Sequence, residues 1–332
     1  MRQVGIGIAG AVFLAAVAAT GLWWELHPVG AAGSETRSMV IPQGESTWQI
    51  GRRLADAGLV RNAWAVTLAA RLRRATGRLR HGEYALSPSQ GALDIVDVLA
   101  RGEGVLHRVT IPEGYTARQI ADLLADTGLA DRERFLTLAL HGGHRFARAT
   151  LDDLPVDSLE GYFFPDTYLL TRGPDESAIV ERFLDRFDAA IGPDIRPAAR
   201  ARGLTLHQLL TVASMVEREA RVPDERPVIA GVIYNRLARG MRLEIDATVL
   251  YALGRHKTTL TSADLEVDSP YNTYRHSGLP PGPIANPGLA SIAAAAAPAD
   301  VPFLYYVLKP DGRHHFSRTF QEHMQAVRRY RP

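Results

Sequence analysis

Cysteine is absent from the 332 residues, and lysine occurs only at Lys257 and Lys309. The first absence excludes disulfides, thiolate zinc sites and a cysteine nucleophile, and says nothing of compartment. The second leaves basic charge to arginine, with a formal net charge of only +2. No long basic run is interleaved with aromatics, so nucleic acid is not an expected partner. The densest cluster, RLRRATGRLRH at Arg71–His81, reads as the solvated face of an amphipathic helix. An H-E-x-x-H pattern is missing, so His314, His315 and His323, set among arginines, are not expected to hold a metal. A G-x-S-x-G elbow is missing too. No cofactor is expected. What is present is apolar mass: 46% of residues are hydrophobic, enough for about two domains with real cores.

Val4–Trp24 carries 21 residues without a charge, the length needed to cross a hydrocarbon core. The sequence therefore predicts a membrane span or a signal sequence. The run exceeds a usual signal core, which favours a retained anchor over cleavage near Ala31, Ala32 and Gly33. Arg2 precedes it and Glu25 follows, so the positive-inside rule puts the N-terminus in the cytoplasm and the remainder outside. Within this run GIGIAG matches a dinucleotide-binding fingerprint, but no strand precedes it, and its glycines fit membrane-helix packing instead.

After a linker, VIPQGESTWQIGRRLADAGLV (Val40–Val60) aligns without a gap on TIPEGYTARQIADLLADTGLA (Thr110–Ala130), with ten of 21 positions identical. This is an internal repeat. Each copy reads as a short strand, an I-P-x-G turn, a capping box (Ser46 with Gln49, Thr116 with Gln119), a helix, and a glycine stop at Gly58 or Gly128. Small units of this βαβ-like kind resemble LysM-type glycan-binding modules. Between the copies a strand at 84–86 and a helix over 92–100 are predicted.

From Leu151 the character changes. EGYFFPDTYLL (Glu160–Leu170) packs four aromatics round a Pro-Asp turn, and helices are predicted over 178–190, 206–221, 224–239 and 289–297. DSPYNTYRHSGLPPGPIANPG (Asp268–Gly288) is too rich in turn residues for regular structure, and FLYYVL (Phe303–Leu308) reads as a strand.

The helix from Leu206, opened by a third capping box (Thr205 with Gln208), is apolar yet carries Glu217 and Glu219 near its end. Glu217 falls toward the apolar stripe; Glu219 lies about 200° away, near Val212 and Met215. Both suit ion pairing with Arg218, Arg221, Arg226 or Arg236. A carboxyl flanked by Val and Met is also desolvated, and desolvation keeps it protonated, as a general acid requires. Side chains 200° apart cannot face each other across one sugar bond.

EGYFFPDTY, ASMVEREARVPDERPVIAGVIYNRLARGMRLEIDATVLYALG and SPYNTYRHSGLPPGPIANPG, in that order, resemble the membrane-bound endolytic murein transglycosylases of bacteria. The resemblance implies a peptidoglycan lyase in which one glutamate protonates the bond between N-acetylmuramic acid and N-acetylglucosamine. The muramic C6 hydroxyl then closes a 1,6-anhydro ring, ending strand elongation. It implies Glu219 as the acid, with Glu217 as orienting neighbour or alternative acid. Asp246, Thr248, Tyr271, Asn272, Thr273, Tyr274 and Asn286 are implied as substrate-binding residues, Asn286, in its I-A-N-P-G turn, as structural first and ligand-facing second. Glu160 and Asp166 are possible supports behind them. Two departures from the family pattern stand out: Ala220 where a hydroxyl residue usually follows the acid, and Ala247 where proline is usual. Peptidoglycan strands and cell-wall synthases are the implied partners, and the bacterial inner membrane, spanned once with the C-terminal part on the periplasmic face, the implied location.

The expected architecture is α+β: a transmembrane helix (1–25), a linker (26–38), a LysM-like α+β region (39–150) and a mixed α+β catalytic domain (151–332). Two rival functions fit the same residues. One is a catalytically silent glycan-binding scaffold; the other is a hydrolase using water, with Asp246 or Glu160 as base.

Overall fold

The computed structural model describes residues 2–152, 154–173, 175–255, 257 and 259–330, with side chains from Phe13 onward. The backbone divides into two units, residues 1–108 with 169–175, and residues 109–168 with 176–332.

The first unit contains α1 (Arg2–Leu26), β1 (Arg37–Ile41), α2 (Thr47–Asp56), α3 (Ala63–Leu72), β2 (Gly82–Leu86), α4 (Ala92–Arg101) and the start of β3 (His107–Thr110). β1 pairs antiparallel with β2, Arg37 opposite Leu86 and Ile41 opposite Gly82. A two-stranded ribbon is marginal alone. Helices cover it through a core of Ile50, Leu54, Val66, Tyr84, Leu86, Ile95 and Leu99. α2 and α3 approach closely because position 51 is glycine: a Cβ there would lie 2.5 Å from the Ala63 carbonyl oxygen.

The second unit contains α5 (Ala117–Asp126), α6 (Arg132–His141), the start of β4 (Thr167–Leu170), which pairs with β3, then α7 (Glu176–Ile191), α8 (Ile195–Ala201) and α9 (Leu206–Glu219). α10 (Arg226–Ala238), α11 (Asp246–Leu253), α12 (Ser262–Leu265), α13 (Leu289–Ala296), the β5–β6 hairpin (Tyr305–Leu308, His314–Ser317) and α14 (Phe320–Tyr330) follow. α9 runs through the core: every residue from Leu206 to Val216 except Gln208 is buried. An aromatic cluster fills the space beside α7, with Phe183 set 4.6 Å from Tyr168, 5.7 Å from Phe163 and 6.1 Å from Phe135, ring centre to ring centre.

Local expectations hold where local chemistry sets them. The three capping boxes form with both hydrogen bonds, and Gly58 and Gly128 take φ of +69° and +67° just past α2 and α5.

Two expectations are corrected. Among the described residues no helix is long and apolar enough to cross a membrane, which overturns the transmembrane helix, the anchoring and the single-pass inner-membrane location. The expected span rested on Val4–Trp24; the side chains of its first nine residues lie outside those described. The LysM-like reading is not supported either. The two repeat copies do not build one region: the first lies in the first unit and the second in the other. Nor is the first copy βαβ, because two helices separate its strand from an antiparallel partner. A mixed α+β architecture remains.

Truncating Phe183 to alanine empties the centre of the aromatic cluster, so Phe183→Ala is expected to cost about 3–5 kcal/mol in urea unfolding. A loss under 1 kcal/mol would show that the cluster carries little of the second unit's stability.

Candidate active site

α9 delivers its two glutamates into different surroundings. Glu217 has a side chain only 7% exposed; its Oε2 accepts from the Gly288 N–H at 3.0 Å, and its Oε1 lies 3.6 Å from Arg226 Nη2. Gly288 is the N-cap of α13, so Glu217 satisfies one of that helix's unpaired donors. Glu217 is thus committed to holding α9 against α13 and α10.

Glu219 opens instead onto a cleft of about 350 Å³ bordered by Asp246, Glu244, Arg236, Tyr274, Tyr306 and His314. Burial pushes its carboxyl up to about 7; the Tyr306 hydroxyl, which donates to its carboxylate, pulls the other way, and the Asp246 charge pushes up again. Arg221 and Arg218 favour the charged form more weakly. As the last residue of α9, Glu219 also sits where the helix carbonyls present partial negative charge, which favours the neutral acid.

The cleft wall is built from the turn-rich loop and α11. Tyr274 donates to Asp246 Oδ1 at 2.5 Å, and its backbone N–H donates to Asn272 Oδ1 at 3.0 Å. Asn272 is fully buried and donates through Nδ2 to the Leu265 and Val267 carbonyls at 2.8 and 2.9 Å. Thr273 Oγ1 accepts from the Ile245 N–H at 3.0 Å and meets Thr248 Oγ1 at 2.9 Å, both threonines buried. The loop is therefore locked to α11, with Tyr274 projected into the cleft.

Of the residues marked in the sequence, Glu219, Asp246 and Tyr274 come together on the cleft. Thr248, Asn272 and Thr273 are the frame behind it. Tyr271 is elsewhere, its ring 4.8 Å from Tyr251. Asn286 is fully buried with every side-chain polar group occupied. Its Oδ1 accepts from Gly161 and Phe163 N–H groups, and its Nδ2 donates to the Tyr115 carbonyl and to Glu160, each at 2.9 Å. Glu160, 1% exposed, also accepts from the Ala117 N–H, and burial pushes it up to about 8. Asp166 pairs with Arg186 and accepts from the Thr167 N–H, a capped turn remote from the cleft residues.

Sequence reasoning missed two contributors. Tyr306 lies in the expected strand, but nothing local says that its hydroxyl meets Glu219. Arg236 is 8% exposed and donates to the Leu304, Arg242 and Leu243 carbonyls at 2.7–3.0 Å while pairing with Glu244 at 3.2 Å, a clamp across the cleft rim. An arginine inside an apolar helix was the available signal. Glu244 itself has φ of +53°, a strained conformation for a non-glycine residue. Among the described residues no group of histidine and carboxylate side chains is arranged to hold a metal.

Glu219 is thus a desolvated carboxyl of raised proton affinity in a tyrosine-walled, acid-rich cleft. The chain belongs to the YceG-like family, which matches it over residues 39–329. It is 32% identical to the endolytic murein transglycosylase of Bacillus subtilis, across 92% of this chain and 88% of that protein. It is 33% identical to the endolytic murein transglycosylase of Streptococcus pneumoniae strain D39, covering 95% of this chain but only 63% of that longer protein. A crystal structure of a YceG-like protein from Listeria monocytogenes superimposes with a TM-score of 0.60 at 34% identity, covering 89% of this chain and all of that one.

Because the folded protein holds Glu219 near 7 and an unfolded chain near 4.5, the protonated state is the one that favours folding. That contribution is complete below pH about 4.5 and is lost as pH rises through about 7. Relative to Glu219→Gln, the wild type should therefore lose stability between these pH values and level off above them; urea unfolding of both proteins across pH reads this directly. A constant difference would mean that Glu219 ionises as it does in water.

Proposed function

We propose that Glu219 is the general acid and base of this chain's reaction, and that the chain acts as an endolytic peptidoglycan lytic transglycosylase. The observation that carries the assignment is the contrast between the glutamates: Glu217 caps α13, whereas Glu219 faces the cleft with its proton retained near neutral pH.

In the reaction, Glu219 gives its proton to the oxygen joining N-acetylmuramic acid to N-acetylglucosamine, and the bond from that oxygen to the muramic anomeric carbon breaks. The oxygen of the muramic C6 hydroxyl bonds to the anomeric carbon, and its proton passes to the Glu219 carboxylate, restoring the acid. No water is consumed, so a second enzymic nucleophile is unnecessary. Asp246 raises the affinity of Glu219 for its proton, and its negative charge also suits the oxocarbenium-like centre. Tyr306 steadies the carboxylate once the proton has left. Tyr274, fixed by Asn272 and Asp246, offers a ring face for a sugar. Glu217 serves as an anchor for α9, and cell-wall synthases are the partners consistent with cutting strands as they are made.

The decisive experiment is mass spectrometry of strand ends after digestion of un-cross-linked glycan. Wild type should leave anhydro ends, and Glu219→Gln should lower their formation by roughly 10²–10⁴-fold. Reducing ends about 18 Da heavier would instead identify a hydrolase, for which Asp246 is the only marked base in the cleft. Activity should fall as pH rises through about 7. Asp246→Asn should move that fall to lower pH by removing a like charge, and Tyr306→Phe to higher pH by removing a donor to the charged form. Shifts in the same direction would contradict the assigned electrostatics.

A further inference from the structure

The second unit contains another cleft, of about 320 Å³, that the reaction does not use. Four arginines line it, Arg118, Arg132, Arg218 and Arg255, against a single lining acid, Asp122. Arg132 is already occupied by Asp122 at 2.6 Å and Glu133 at 2.5 Å. Arg218 donates to the Gly114 carbonyl at 3.2 Å, a contact that leaves its charge uncancelled. Arg255 lies 4.0 Å from Asp264 with its side chain 64% exposed, and exposed Arg118 enters no salt bridge among the described residues. The floor is apolar, formed by Ala247 and Leu250 of α11 with the Tyr251 ring. A concave, partly apolar surface with excess guanidinium charge suits a flexible chain bearing carboxylates, which arginine grips in a two-pronged fork.

The position of this cleft says which carboxylates. Arg218 lines it and Glu219, the next residue, lines the other; Ala247 lines it and Asp246, the preceding residue, lines the other. The end of α9 and the start of α11 are thus a wall common to both. From Asp246 to the Gly254 rim, α11 is about 12 Å long, and three extended amino-acid residues span about 10 Å. A peptide branch on a sugar held at Glu219 therefore has the reach to enter the arginine cleft.

We propose that the arginine cleft binds the carboxylates of the peptide branches on the glycan strand, a subsite that selects peptide-bearing muramic acid next to the cut. The proposal rests on the reading of the chain as one that acts on peptidoglycan. It assigns Arg118 and Arg255 as specificity residues that stand outside the proton-transfer machinery.

The test uses the full chain carrying Glu219→Gln, so that binding is measured without turnover. Two probes are compared: un-cross-linked peptidoglycan strands with native peptides, and the same strands with their peptide carboxylates converted to amides. Native strands should bind about tenfold more tightly than amidated ones. Arg118→Gln with Arg255→Gln should abolish that preference while leaving affinity for amidated strands unchanged. Arg200→Gln with Arg239→Gln, two exposed arginines away from the cleft, should preserve it. Equal binding of both strands, a preference that survives the cleft variant, or an equal loss in the control pair would each overturn the proposal. The reaction assigned to Glu219 is read separately, from the ends made by the active chain. A missing anhydro end with an intact carboxylate preference would remove the transglycosylase and leave the peptide subsite standing.

Discussion

The burial of α9 is the constraint on which the site depends. A helix enclosed on nearly every side can end only where neighbouring elements make room, and its final turn here meets α13 on one side and the cleft on the other. Two carboxyls that are nearly adjacent in sequence consequently have unlike chemistry. Glu217 is paid for in hydrogen bonds from Gly288 and in charge from Arg226, and it holds helices together. Glu219 has lost water without gaining a comparable set of donors, so its proton stays bound near neutral pH. Desolvation is the largest cause of the raised proton affinity of this helix-terminal glutamate.

The rest of the second unit can be understood as support for that placement. Arg236 ties the cleft rim to three carbonyls, Asn272 sets the direction of Tyr274, and the Thr248–Thr273 pair fixes the loop to α11. At a distance from the cleft, Asn286 and Glu160 join the start of α5, the 161–163 turn and the end of the proline-rich loop in one buried network. Glu160, pushed up to about 8, is a second carboxyl that burial keeps protonated, but it is 1% exposed and bonded to Ala117, Asn286 and Tyr251. A raised proton affinity alone therefore does not tell Glu219 from Glu160; a place on the lining of a cleft does.

Much of this was legible in the sequence where the determinants are local. Capping boxes at Ser46, Thr116 and Thr205 and the stops at Gly58 and Gly128 involve partners a few residues apart, and helices began where those signals said. The resemblance to endolytic murein transglycosylases, carried by three motifs, agrees with the YceG-like family and its named relatives. Long-range chemistry was not legible. Asn286 could be read as structural from its turn, but the groups it holds could not be read, because its partners Gly161 and Phe163 lie more than 120 positions away. Tyr306 went unremarked because an alternating strand tells which residues share a face and not what that face meets. The repeat was real, yet identical grammar in two copies did not make one module, since each copy packs within a different unit. The membrane span was read from an uncharged run alone, and no described helix has the length and apolarity it required.

The central claim is that Glu219 carries a proton at neutral pH because protein replaces water around it. Isotope-edited infrared difference spectroscopy between wild type and Glu219→Gln reports that proton directly. The account predicts a protonated-carboxyl band at pH 6 that converts to carboxylate with a midpoint near 7. A carboxylate band already complete at pH 5 would contradict it.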